Sequence, residues 1–298
     1  MRHAALAVAL TAALAVIAPA APAGAAAGGS PRGRHADAKT SYYLALGDSL
    51  SVGVQPNGFG KSVPTPQGYA NQLYSALRVS DPGLRLAKLG CSGETTRTMI
   101  DGGICSYPAG SQLSQAVSFL RAHRDHVSLV TIDIGANDPA ACATRRSIGA
   151  VISCVTATFP QSVRNLTKIM KTIRAAAGSG VRIIGMNYYV PELSEWLDGP
   201  GGQQLARLSE GLVVSYNRLL TVVYQRFGAR VANVFGAFHS GDFTDMVRVP
   251  GVGTAPRNVA AICLWTWECA PAPRGPNEHA RPIGYAVIAL AFLLADQS

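Results

Sequence analysis

The run Tyr42-Tyr43-Leu44-Ala45-Leu46, followed at once by Gly47-Asp48-Ser49-Leu50-Ser51, restricts the fold more than any other stretch of the chain. Five apolar or aromatic residues in succession predict a buried strand of the kind found in parallel sheets covered by helices. Gly47-Asp48-Ser49 predicts the turn at its carboxyl end. In an open α/β sheet, that edge is where ligands bind. A serine there can present its hydroxyl to a crevice beside a helix amino end, whose N–H groups favour developing negative charge. The same serine can also act simply as a helix cap.

The remaining chain repeats the alternation. Further strands are predicted at 84–89, 127–134, 181–186 and 230–234, with helices at 68–79, 112–123, 145–155, 159–177, 205–227 and 282–294. Residues 235–281 read mostly as loop. This order predicts a three-layer α/β fold: a parallel sheet of about five strands with helices on both faces. Gly47-Asp48-Ser49, Ser92-Gly93 and Gly135-Ala136-Asn137 all fall at carboxyl ends of predicted strands, and therefore on one edge of the sheet. The loops 52–67 and 188–202 are expected to border a pocket there.

Arg2 and His3, the apolar stretch 4–18 and the small-residue exit Ala23-Gly24-Ala25 predict a secretory signal peptide over 1–25. Residues 26–40 read as a flexible tail and 41–298 as one domain. A retained anchor is the weaker alternative, because the apolar stretch is short, and no later stretch is long and apolar enough to span a bilayer. The formal charge of +9 is spread over several segments without a dense basic run interleaved with aromatics, which argues against nucleic acid as a partner. Six cysteines, all beyond the signal, suit an exported protein with three disulfides. The short-range set is Cys91–Cys105, Cys142–Cys154 and Cys263–Cys269, and closing a ~15-residue loop contributes roughly 3 kcal/mol in the chain-entropy model. Paired C-x-x-C motifs are absent and no histidine is spaced to complete a site, so neither metal nor cofactor is expected.

Acyl transfer from an ester needs a nucleophile, a base and donors for the tetrahedral oxyanion. Ser49 can supply the hydroxyl and one N–H, Gly93 a second N–H with no side chain in the way, and Asn137 a side-chain amide. Asn137 alone would read as a turn former before Asp138-Pro139. Of the six histidines, His3 and His35 precede the domain, and His123 and His126 flank a helix end, where a cation favours the dipole. His239 lies in a loop with nothing else to support it. His279, in Gly275-Pro276-Asn277-Glu278-His279 before the last helix, is the assigned base.

Gly47-Asp48-Ser49-Leu50, Gly93, Gly135-x-Asn137-Asp138 and a late histidine resemble, in order, the four blocks of the SGNH, or GDSL, hydrolases. The resemblance covers nearly all of the chain beyond the signal and points to the secreted actinobacterial branch with three disulfides. It implies a flavodoxin-like fold and metal-free ester hydrolysis. Ser49 would be the nucleophile, Ser49, Gly93 and Asn137 the oxyanion hole, and His279 the base. The alternative G-x-S-x-G signature does not occur. One position departs from the family pattern: Pro276 stands where an aspartate usually lies, three residues before the histidine. A Ser-His dyad is therefore expected, with the Pro276 main-chain carbonyl accepting from Nδ1–H, and Asp242 as the rival orienting group. Glu278, adjacent to the histidine, is expected to point elsewhere.

Asp48 reads as a residue that fixes the turn. Tyr188 and Tyr189 face either the cleft or the core, and Trp265 and Trp267 either wall an acyl pocket or pack on the last disulfide. The expected protein is a secreted, monomeric serine esterase or lipase acting on a small-molecule or lipid ester. A carbohydrate deacetylase or phospholipase would use the same machinery, and a non-catalytic envelope-binding protein could keep the fold without it.

Overall fold

A computed structural model describes residues 40–297, so the expected signal peptide and all but the last residue of the expected tail lie outside the described residues. Strand β1 (Ser41–Gly47) is the centre of the sheet, with Tyr43, Leu44, Ala45 and Leu46 fully buried. A strand with no polar face needs neighbours on both edges and cover on both faces. It pairs in parallel with β2 (Leu84–Lys88) on one side and β3 (Val127–Asp133) on the other. Strands β4 (Arg182–Met186) and β5 (Arg230–Ala232) extend the sheet, giving the all-parallel order β2-β1-β3-β4-β5. This is the flavodoxin-like order, whose switch point lies between β1 and β3.

Six longer helices accompany the strands: α1 (Tyr69–Leu77), α2 (Gln112–Ala122), α3 (Ile148–Ala177), α4 (Gly199–Arg226), α5 (Arg257–Trp265) and α6 (Pro282–Gln297). Helices α1 and α6 pack together, with the Tyr69 ring stacked on Phe292 at 4.7 Å, while α2, α3 and α4 pack in series. The cysteines pair as Cys91–Cys105, Cys142–Cys154 and Cys263–Cys269.

Three stretches differ from expectation. The predicted helices 145–155 and 159–177 are one 30-residue helix that runs through Pro160. A proline inside a helix removes one backbone bond and crowds the preceding turn. Here the Thr156 and Thr158 hydroxyls bond back to the carbonyls of Ile152 (2.9 Å) and Val155 (2.7 Å), and Phe159 stacks on Tyr216 of α4 at 4.8 Å. Tertiary packing thus overrides the local break. Helix α4 begins at Gly199 rather than 205, with Pro200 in the first turn, where its missing N–H costs nothing. Finally, the region read as loop contains the hairpin Met246–Val249/Gly253–Pro256 and helix α5. Val259, Ala260, Ala261, Ile262 and Cys263 of α5 are all buried, so it lacks the polar face that periodicity detects.

Candidate active site

Parallel pairing sets Gly47 opposite Asp133, so the turns leaving β1 and β3 emerge side by side. On the other flank, the Leu89 and Cys91 N–H groups bond to the carbonyls of Ala45 and Gly47, which carries the Gly93 loop alongside the end of β1. Strand order therefore places Ser49 between the loop of Gly93 and the loop of Asn137. Each was visible in the sequence at a strand end; their adjacency follows from β1 being central.

Asp48 holds the Ser49 turn as expected: Oδ1 accepts from the Leu50 N–H at 3.0 Å, and the Asp48 carbonyl accepts from the Ser51 hydroxyl at 2.8 Å. Behind it lies a residue that the sequence analysis did not single out. The buried Asp133 carboxyl accepts from the Ser51 N–H (3.2 Å), from the Asp48 N–H (3.4 Å) and from the Tyr69 hydroxyl (2.5 Å). A Cβ on Gly47, which sits at φ +133°, would fall 2.2 Å from the Asp133 carbonyl oxygen, so no side chain fits there. The Gln112 side chain brackets Gly47, accepting from its N–H (2.7 Å) and donating to its carbonyl (3.0 Å). Burial, reinforced by mutual repulsion among nearby carboxylates, raises Asp48 to about 6 and Asp133 well above the usual carboxylate range. The available signal for Asp133 was an acidic residue ending an apolar strand.

His279 is buried, with 6% of its surface exposed. Its main-chain N–H and its Nδ1 both approach the Asn277 side-chain oxygen, at 3.1 and 2.9 Å. The main-chain group can only donate, so the shared atom is an acceptor and Nδ1 carries the hydrogen. In the neutral ring, Nε2 is then the bare nitrogen. This corrects the expected orienting groups: neither the Pro276 carbonyl nor Asp242 meets the ring. The Asp242 carboxylate closes its own turn with Thr244 and Asp245 and lies 3.7 Å from Arg257. Asn277 prevails because a side chain two residues earlier can fold back on the local backbone, as Asx turns do.

Glu278 does not point fully away, since its carboxylate lies 3.6 Å from Nδ1, beyond hydrogen-bond distance and largely exposed. Burial lowers the His279 pKa from 6.5, and the charge of Glu278 partly opposes this. The segment is fastened by the Tyr189 hydroxyl to the Glu278 carbonyl (2.7 Å) and by the Trp267 N–H to the His279 carbonyl (3.0 Å).

Ser49, Asn137 and His279 line one cavity of about 750 Å³. Tyr188 and Tyr189 line it too, although both are buried. The Asn137 amide donates to the Glu94 carbonyl at 3.0 Å, tying its loop to the residue after Gly93. Gly93 itself does not line the cavity. It is exposed at φ +80°, with open space where a Cβ would stand. Among the described residues, no acceptor meets the Ser49 or Gly93 N–H. The Ser49 hydroxyl and His279 Nε2 are not hydrogen-bonded to each other, nor to any other described residue, which leaves both free for a ligand.

Of the two readings of Trp265 and Trp267, the pocket wall is not met, since neither lines the cavity. Trp265 packs edge-on against Phe238 at 5.3 Å, and Trp267 lies under the guanidinium groups of Arg274 and Arg281, at 5.4 and 4.8 Å. Of the two loops expected at the pocket, the one after β4 contributes Tyr188, Tyr189, Pro191, Glu192 and Glu195, while 52–67 contributes none. No group of three or more His, Cys, Asp or Glu among the described residues could hold a metal ion, and no described helix is long and apolar enough to cross a membrane.

Residues 45–248 match the model of the GDSL-like lipase/acylhydrolase family, a span that contains Ser49, Gly93 and Asn137. No curated protein matches by sequence. Among solved structures, an extracellular lipase from Streptomyces rimosus is similar at 16% identity and a TM-score of 0.58, covering 86% of this chain and 100% of that one. Lipase Lip_vut3 from a goat rumen metagenome follows at 15% identity, a TM-score of 0.54, and 86% and 97% coverage. Phospholipase A1 from Streptomyces albidoflavus NA297 matches at 17% identity and a TM-score of 0.53, with 87% and 100% coverage. At such identities, the likeness to these structures is one of fold. The family match spans well over half of the sequence, and the chain belongs to the GDSL-like lipase/acylhydrolase family.

Proposed function

We propose that the protein is a secreted serine hydrolase of carboxylic esters. The observation that carries this reading is one cavity lined by an unengaged hydroxyl, a buried imidazole with Nε2 bare, and an amide donor. Ser49 Oγ attacks the ester carbonyl while His279 Nε2 takes its proton. The oxyanion is held by the N–H groups of Ser49 and Gly93, which meet no acceptor among the described residues, and by the second hydrogen of the Asn137 amide. His279 returns the proton to the departing alcohol. Water, deprotonated by the same nitrogen, then attacks the acyl carbonyl, and His279 hands that proton to Ser49 Oγ as the acid leaves. Asn277 keeps Nδ1–H in place throughout, fixing the tautomer with a neutral oxygen rather than a carboxylate.

Secretion is supported by three disulfides, which persist in oxidising compartments, and by the signal-like first 25 residues. A fluorophosphonate probe tests the chemistry. Mass spectrometry should find the adduct on Ser49, and Ser49→Ala should abolish it. A folded protein that takes no label and hydrolyses neither p-nitrophenyl esters nor acetylated glycans would instead be a binding protein on this fold.

A further inference from the structure

The first three turns of α3 have no place in the core. The first fully buried residue of this helix is Ser162, and residues 143–150 are exposed throughout. Yet Ile148, Val151, Ile152, Val155 and Phe159 follow helical spacing, the pattern by which a helix normally presents an apolar face to a core. All five line the cavity that holds Ser49 and His279. Across it, α4 presents Leu205, Leu208 and Leu212 at the same spacing. Beyond the Phe159–Tyr216 stack, the two apolar stripes thus face each other across a hollow instead of packing together, and Ile148 and Leu208 remain 55% and 38% exposed.

An occupant that satisfies both stripes is apolar and elongated, and one end of it lies where Ser49 and Asn137 meet an ester carbonyl. An acetyl group would leave most of the trough unfilled; a long acyl chain covers it. The overhanging turns are tied back by Cys142–Cys154, which joins the turn Ala140–Thr144 to the second turn of α3. Cys142 is itself buried. We propose that these turns, fastened by that disulfide, are the wall that selects a long acyl chain, and that opening the disulfide shifts the protein toward short-chain esters. The inference rests on the ester-hydrolase reading of Ser49 and specifies its substrate.

The test is kcat/KM on p-nitrophenyl decanoate and p-nitrophenyl acetate, for the wild type, for Cys142→Ser with Cys154→Ser, and for Val151→Trp, which fills the trough with the disulfide intact. Each methylene taken out of water is worth about fourfold, so burying four of them favours decanoate by roughly 200-fold. In both variants the decanoate-to-acetate ratio should fall by about tenfold or more, the scale on which apolar pockets discriminate. The proposal is overturned if the wild type prefers acetate, or if the ratio survives Val151→Trp. It is also overturned if the double serine variant loses both activities in proportion while its Ser49 still takes the fluorophosphonate. A wild type that cleaves neither ester and takes no label defeats the underlying ester-hydrolase reading instead.

Discussion

The rim at the carboxyl ends of β1 and β3 and the first turns of α3 face one cavity, but they are held in opposite ways. At the rim, buried polar groups are tied to one another: Asp133 to the N–H groups of Asp48 and Ser51, Gln112 to Gly47, and Asn277 to His279. On the wall, part-buried apolar side chains stand on a helix end held by a disulfide and by the Phe159–Tyr216 stack. Chemistry at a carbonyl loses rate steeply when reacting groups move by an ångström, whereas an alkyl chain adapts to an apolar surface without fixed partners. The rim should therefore set rate for every substrate, and the wall should set which substrate.

The sharpest way to break that division is to remove the proposed reacting groups. Ser49→Ala and His279→Ala should each lower kcat/KM by about 10³-fold or more on acetate and decanoate esters alike. A change in the ratio between the two esters would show that rim and wall are not separable. Asn137→Ala should follow at about 10²- to 10³-fold in kcat, the usual loss for one oxyanion donor, with KM nearly unchanged.

Asn277→Ala frees the imidazole to turn and should lower kcat by about 10- to 100-fold. Asn277→Asp should keep the ring aligned but favour its protonated form, moving the acid limb of the kcat/KM profile to higher pH. A purely structural role for Asn277 would leave that limb where it was.

The smallest effects concern charge near the ring. His279 acts as a base only when neutral, and burial lowers its pKa, so activity should persist somewhat below pH 6.5 and then fall with further acidification. Glu278→Gln removes the charge that opposes this shift, and should move the limb to lower pH while the plateau changes by less than about twofold. Asp242→Asn should leave both limb and plateau in place, since its carboxylate is engaged in its own turn.

Much of this arrangement was legible in the residues because its signals are local. An unbroken apolar run means a covered strand, a glycine beside Asp48-Ser49 means a tight turn, and cysteines close in sequence pair across short loops. Asn277 escaped notice because its role depends on a side chain folding back two residues, and asparagine is common in any loop. Asp133 lies within the predicted strand 127–134, where no motif marks it. The single helix through Pro160 was read as two, 145–155 and 159–177, because local spacing does not show the Tyr216 ring, from elsewhere in the chain, that helps to hold it together.

Alternation of strand and helix, the glycine turns and the cysteine spacing determined by themselves that this chain forms a covered parallel sheet with its chemistry-bearing turns on one edge. Strand order, the tautomer of His279 and the hollow between α3 and α4 were decided by tertiary structure alone. The physical reason is range: propensity and periodicity act over a few residues, whereas adjacency, burial and the partner of a lone pair depend on segments that meet in space after dozens or hundreds of intervening positions.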